Sequence, residues 1–83
     1  MPLYFFDVTD TGRTSHDNRG MELPSLIEAR REALRALADI AKDELPNGDY
    51  RDFTIHIREN DGPPLLTASL SLRVDHSDPA TQY

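Results

Sequence analysis

Between Ser25 and Leu45 the apolar residues recur at helical spacing. Placed about 100° apart, Leu26, Ala33, Leu37, Ile40 and Ala41 share one side, flanked by Ala29, Leu34, Ile27 and Leu45. Glu28, Arg31, Glu32, Arg35, Asp39, Lys42 and Asp43 gather opposite. A wide apolar arc against a charged arc predicts one amphipathic helix of about five turns lying on a sheet. Ser25 and Glu28 have the capping-box spacing, in which hydroxyl and carboxylate each accept from a free backbone amide. Pro24 precedes the cap, and Pro46-Asn47-Gly48 ends the helix, because proline cannot extend it and Asn or Gly tolerates left-handed φ. Arg35–Asp39 and Asp39–Lys42 are spaced for surface ion pairs. Two charges, Arg30 and Glu44, project toward the apolar side. Arg30 is read as laying its stem on the core edge with its head in water. The alternative is a buried partner or a ligand contact.

Elsewhere the period drops to two. Leu3 to Thr9 alternates, with Tyr4, Phe6 and Val8 toward the helix and Leu3, Phe5 and Asp7 toward water. Asp10 to Gly20 is polar and turn-rich: a solvated loop, or a loose hairpin with a short strand around Arg13–Ser15. Its Asp10, His16 and Asp17 do not have the spacing of a calcium loop. Met21 and Leu23 mark a short second strand. Asp52 to Arg58 predicts a third, with Phe53, Ile55 and Ile57 inward and Thr54, His56 and Arg58 outward. Asn60-Asp61-Gly62 is a turn signal, and Leu65 to Val74 is the fourth strand, with Leu66, Ala68, Leu70 and Leu72 inward. Closing the turn at Asp61-Gly62 sets Ile57 opposite Leu66, Ile55 opposite Ala68 and Phe53 opposite Leu70; a one-residue slip would turn these side chains into water.

The expected fold is therefore α+β, ββαββ, with one helix on one face of a mostly antiparallel four-stranded sheet. Residues 1–74 form a single domain, and 75–83, DHSDPATQY, form a flexible C-terminal tail. The strand order 2-1-3-4 keeps every neighbour antiparallel, although the sequence does not choose between strands 3 and 4 as the neighbour of strand 1.

Composition narrows the chemistry. In 83 residues there is room for a small core and little for a deep pocket. No cysteine is present, so disulfides and thiolate metal sites are excluded. No apolar run is long enough to span a bilayer, and the N-terminus lacks the regions of a signal peptide, so the expected location is cytoplasmic. A net charge of −6 without a basic stripe opposes binding to phosphate backbones, hence no nucleic-acid partner is expected.

The Tyr4-Phe5-Phe6 strand, the loop closing on Gly20, Met21-Glu22-Leu23-Pro24, Ser25 with Glu28-Ala29-Arg30, and the Asn60-Asp61-Gly62 turn before Leu65-Leu66-Thr67 form a connected pattern. It resembles a family of short bacterial proteins known only as a domain of unknown function, over roughly residues 2–72. That resemblance implies no activity, cofactor or catalytic residue. The chain more distantly resembles HicB-type antitoxins, which also run strand, loop, strand, Leu-Pro and a helix opening on Glu-Ala; it lacks their appended DNA-binding segment.

Catalysis needs a nucleophile with a base, paired carboxylates in a cleft, or a metal. His16, His56 and His76 have no evident partners by spacing beyond Thr67, which can meet His56 across the hairpin. No phosphate-binding glycine loop or nucleophile elbow occurs. The expectation is a non-enzymatic interaction or assembly module, without cofactor, metal, membrane or small-molecule ligand. Its candidate interaction face is Leu3, Phe5, His56 and Leu65, on the open side of the sheet, for a protein partner or a homodimer. An edge strand with unpaired amides is a second route to assembly. The alternative is a HicB-like antitoxin-type domain covering a basic partner.

Overall fold

The computed structural model of the chain describes residues 1–77. Its elements are β1 (Leu3–Asp10), β2 (Arg13–Ser15), β3 (Met21–Glu22), α1 (Leu26–Glu44), β4 (Tyr50–Arg58) and β5 (Leu66–Arg73). The sheet runs β2-β1-β4-β5, with β3 also paired to β1, and every pairing is antiparallel. This is the expected α+β architecture and order, with the Arg13–Ser15 hairpin strand added as a fifth.

The β4–β5 register is the one the apolar alternation requires: Phe53 faces Leu70, Ile55 faces Ala68 and Ile57 faces Leu66. At the turn the Gly62 N–H donates to the Glu59 carbonyl at 3.2 Å, and Asn60 takes a left-handed φ of 51°. Asn accepts that conformation more readily than most residues because its short polar side chain can bond locally.

Helix α1 buries Ala29, Ala33, Leu37 and Ala41, one residue per turn, against the fully buried Phe53, Ile55 and Ile57. Three alanines in that row let the helix come close to the bulky residues of the central strand. Tyr4 completes the core at one end of β1. The helix lies over β4 and β5 rather than centrally. Phe6 and Val8 of β1 are only partly buried as a result, and with Met21, Glu32, Ala36 and Ile55 they line an apolar hollow of about 210 Å³.

Several local expectations are corrected. Ser25 is the N-cap, but its hydroxyl makes no capping hydrogen bond; Glu28 instead accepts from Arg31 at 3.3 Å. Arg35 pairs backward with Glu32 at 3.2 Å, not forward with Asp39. Ile27 and Leu34, placed on the flanks of the apolar arc, are 71% and 41% exposed. Leu70 is on the helix side of the sheet yet 37% exposed, because β5 is the edge and the helix does not reach past it. Arg30 is exposed. Glu44 turns inward because Arg51 waits there: its Nη1 donates to Glu44 Oε2 at 3.1 Å, while its Nη2 donates to both carboxylate oxygens of Asp10 at 3.0 Å. That clamp ties the end of α1 to the end of β1. Of the expected tail, 78–83 lies outside the described residues. Asp49 holds the chain just before it, its carbonyl accepting from the Val74 N–H at 2.7 Å and its carboxylate lying 2.7 Å from His76 Nε2.

Candidate functional site: the uncovered sheet face

The sheet face opposite α1 is built of cross-strand rows. One row is a line of hydroxyls, Thr14–Thr9–Thr54–Ser69, in which Thr9 and Thr14 share a hydrogen bond of 3.0 Å and Thr54 and Ser69 one of 3.1 Å. The next is Asp7–His56–Thr67, where His56 Nδ1 lies 2.9 Å from the Thr67 hydroxyl. The third pairs Phe5 with Arg58, whose guanidinium carbon stands 4.7 Å from the ring centroid. Leu65 follows the turn, its N–H donating to the Ile57 carbonyl at 2.6 Å. Together with the 16–18 loop and the β4–β5 turn these rows enclose an open depression of about 800 Å³.

Asp7 is the surprise on this face. Its outward position predicts exposure, yet the residue is 6% exposed. Arg58 Nε donates to its Oδ2 at 2.7 Å, and the Asp17 N–H donates to its Oδ1 at 2.9 Å. His16 Nδ1 lies 3.6 Å from the same Oδ1. The hydrogen bond from Arg58 holds the Asp7 carboxyl below its usual range, against the opposing effect of burial. Arg58 is raised by the same bond, and it also donates to the carbonyls of Asp17 and Asn60. One side chain thus joins β1, the 16–20 loop and the β4–β5 turn.

Asp17, expected in a solvated loop, instead completes the sheet. Between β2 and β3 the partner strand of β1 leaves the ladder. There the Phe6 N–H donates to Asp17 Oδ2 at 3.1 Å, in place of a backbone carbonyl. The other oxygen accepts from the N–H groups of Arg19 and Gly20 at 3.0 and 3.1 Å. Burial pushes this carboxyl up, but the three N–H donors outweigh it and its pKa is lowered. Gly20 then closes the loop at φ +74°, with its α-carbon so near Leu3 and Phe5 that a β-carbon would meet both side chains at 3.0 Å. Asp10 is likewise no bare loop carboxylate, since Arg51 binds it and lowers its pKa.

The proposed contact residues therefore share one face with different exposures. Leu65 and Leu3 are 48% and 38% exposed, whereas Phe5 and His56 are half-buried among their neighbours. His16 sits at the rim and His56 on the floor of the depression, while His76 lies beyond β5, beside Asp49. Among the described residues no group of three or more His, Asp or Glu side chains is placed to hold a metal ion. Sequence reading missed the Asp7–Arg58–Asp17 unit; the signal available was an aspartate in an otherwise apolar and aromatic strand.

Together these features define a small α+β domain with, among the described residues, one helical layer, one uncovered sheet face and a loop pinned onto the sheet by buried charge. The chain belongs to the family described as Domain of unknown function (DUF6894), whose model matches residues 3–71, from the start of β1 into β5. No curated protein and no solved structure matches the chain. No described helix is long and apolar enough to cross a membrane.

Proposed function

We propose that this chain is a non-enzymatic protein-association domain that receives a protein partner on the uncovered sheet face, with Leu3, Phe5, His56 and Leu65 as contact residues. The observation that carries the reading is that among the described residues this face has no second layer, while it exposes Leu3 and Leu65 beside the Phe5–Arg58 stack. Aromatic and Arg side chains with apolar neighbours and a polar rim are the composition of protein interfaces. The non-enzymatic part rests on how the titratable groups are spent. Asp7 is held by Arg58 and the Asp17 amide, and among the described residues His56 meets only the Thr67 hydroxyl in a side-chain hydrogen bond. The reading invokes no cofactor, and a cytoplasmic location fits a chain free of cysteine.

The test is affinity capture with the tagged domain, run beside a Leu3→Glu/Leu65→Glu variant whose fold is checked by circular dichroism. A partner held by the parent and lost by the folded variant supports the reading. A partner held equally by both places association elsewhere. The second reading, an antitoxin-type domain, is favoured by the net charge of −6, which would steer a basic partner. It predicts a captured protein of high pI, released by salt.

A further inference from the structure

The outer edge of β5 differs from every other edge of this sheet. Strand β5 spans eight residues, Leu66–Arg73, and among the described residues no strand pairs with its outer side. Exposed edges in monomeric proteins are usually blunted by charge, proline, a bulge or a covering element. From Leu66 to Leu72 there is no charged residue and no proline, and the ladder to β4 runs unbroken from Arg73 to Leu66. The opposite edge is broken into the short β2 and β3, with the Asp17 side chain filling the gap.

The helix continues this edge into a second layer. Glu32 and Ala36 line the hollow over β1, so the opposite flank of α1, carrying Ile27 and Leu34, lies on the β5 side. Ile27 at 71%, Leu34 at 41% and Leu70 at 37% exposure thus stand along the same margin as the free strand.

We infer that this margin joins two copies of the chain, β5 pairing antiparallel with β5 of the second copy so that the sheet runs through both. Three features select a second copy over an extended peptide. First, the alternation Leu66-Thr67-Ala68-Ser69-Leu70-Ser71-Leu72 is self-complementary: reversed about a central residue, it sets apolar side chains against apolar ones and hydroxyls against hydroxyls. Second, the spacing fits two helices. With strands about 4.8 Å apart and each helix axis over the β4–β5 boundary, the two axes fall about 10 Å apart, the distance at which helices pack. Leu34 and Ile27 would fill that seam, which a peptide strand would leave bare, while the exposed Arg30 between them extends its head to the solvent at the rim. Third, each copy carries a net charge of −6, and the 66–72 stretch is free of charge, so two copies meet there without setting like charges opposite one another on the paired strands.

This goes beyond the open-face association reading: it uses a different surface, so the two can fail separately. The experiment is sedimentation equilibrium of the full chain from about 1 to 200 μM, in low and high salt. The parent is compared with Leu34→Glu, Leu70→Lys and the open-face variant Leu3→Glu/Leu65→Glu, each shown to be folded by circular dichroism. The expected result is a parent dimer that added salt does not weaken, weakened at least about tenfold by either margin substitution and unchanged by the open-face pair. A parent monomeric across the range overturns the inference while leaving the open-face capture experiment to decide the association reading. A dimer lost only in the open-face variant, or one that persists in both margin variants, also overturns it.

Discussion

Arg58 Nε reaches Asp7 Oδ2 at 2.7 Å, diagonally across β1 and β4, and the two residues carry the only largely buried ion pair on the uncovered face among the described residues. Arg58 also ties down two loop carbonyls, so its removal frees more than one contact. Asp7→Asn removes the guanidinium's nearest countercharge and leaves it only the weaker influence of Asp61 and Asp17, and Arg58→Lys keeps the charge but loses the planar fork that reaches Asp7, Asp17 and Asn60 together. Each substitution is expected to cost about 1–3 kcal/mol, because losing one partner leaves the other poorly compensated. Urea denaturation checks this through the midpoint at unchanged slope. A loss under about 0.5 kcal/mol for both would show that the pair is only a surface decoration.

Acid should act through the same carboxylates. Asp7, Asp10 and Asp17 all have lowered pKa values in the folded chain. A carboxyl whose folded pKa lies below its unfolded value stabilises the fold fully above the unfolded value, near 3.9. That contribution is lost as the pH falls through the lower, folded pKa. Stability is therefore expected to be flat from about pH 7 to 5 on this account and to drop steeply below about pH 4. Thermal melts across that range measure it, and Asp7→Asn should flatten part of the acid limb. An acid limb equally steep in the variant would remove Asp7 from the explanation.

Asp17→Ala deletes the acceptor for three backbone N–H groups at once. Of these, Phe6 lies in a strand, while Arg19 and Gly20 are in the loop. The expected global loss is about 1–3 kcal/mol. The sharper readout is local: hydrogen exchange at the Phe6 amide should accelerate while amides in α1 and β4 change only by the global amount. Uniform acceleration would mean that the loop does not open separately from the sheet.

What could be read from the sequence follows the range of the forces involved. Helix α1 and the β4–β5 register were legible because period and turn chemistry are local, and the inward set Phe53, Ile55, Ile57 has a single apolar match on the next strand. The strand order was half legible, since alternation assigns faces but not neighbours. The Asp7–Arg58 pair was not legible: its members are separated by 51 positions, and nothing in either strand states their relative register. Asp17 was missed for a related reason. A carboxylate that replaces a missing strand can be seen only once the gap between β2 and β3 is known. The capping box failed because Glu28 had a competing partner, Arg31, on its own helix. Of the candidate face, the side on which Leu3, Phe5, His56 and Leu65 sit was readable, but not that the Asp17–Gly20 segment would pack against Leu3 and Phe5.

The rotation of the helix about its axis decides both the core and the margin beside β5, and two leucines on it test that rotation. Leu37 is 4% exposed and faces the core, whereas Leu34, three residues earlier, is 41% exposed. Leu37→Ala is expected to cost about 2–4 kcal/mol, the sum of lost transfer energy and an unfilled space. Leu34→Ala should cost under about 1 kcal/mol in dilute protein, where only partial burial is lost. Concentration separates the two further. If the margin joins two copies, the Leu34→Ala penalty grows with protein concentration, because the parent gains stability by mass action and the variant gains less. The Leu37→Ala penalty has no such cause to grow. Denaturation at two concentrations a hundredfold apart reads both effects, and equal costs for the two leucines at low concentration would mean that the helix is rotated from the orientation described.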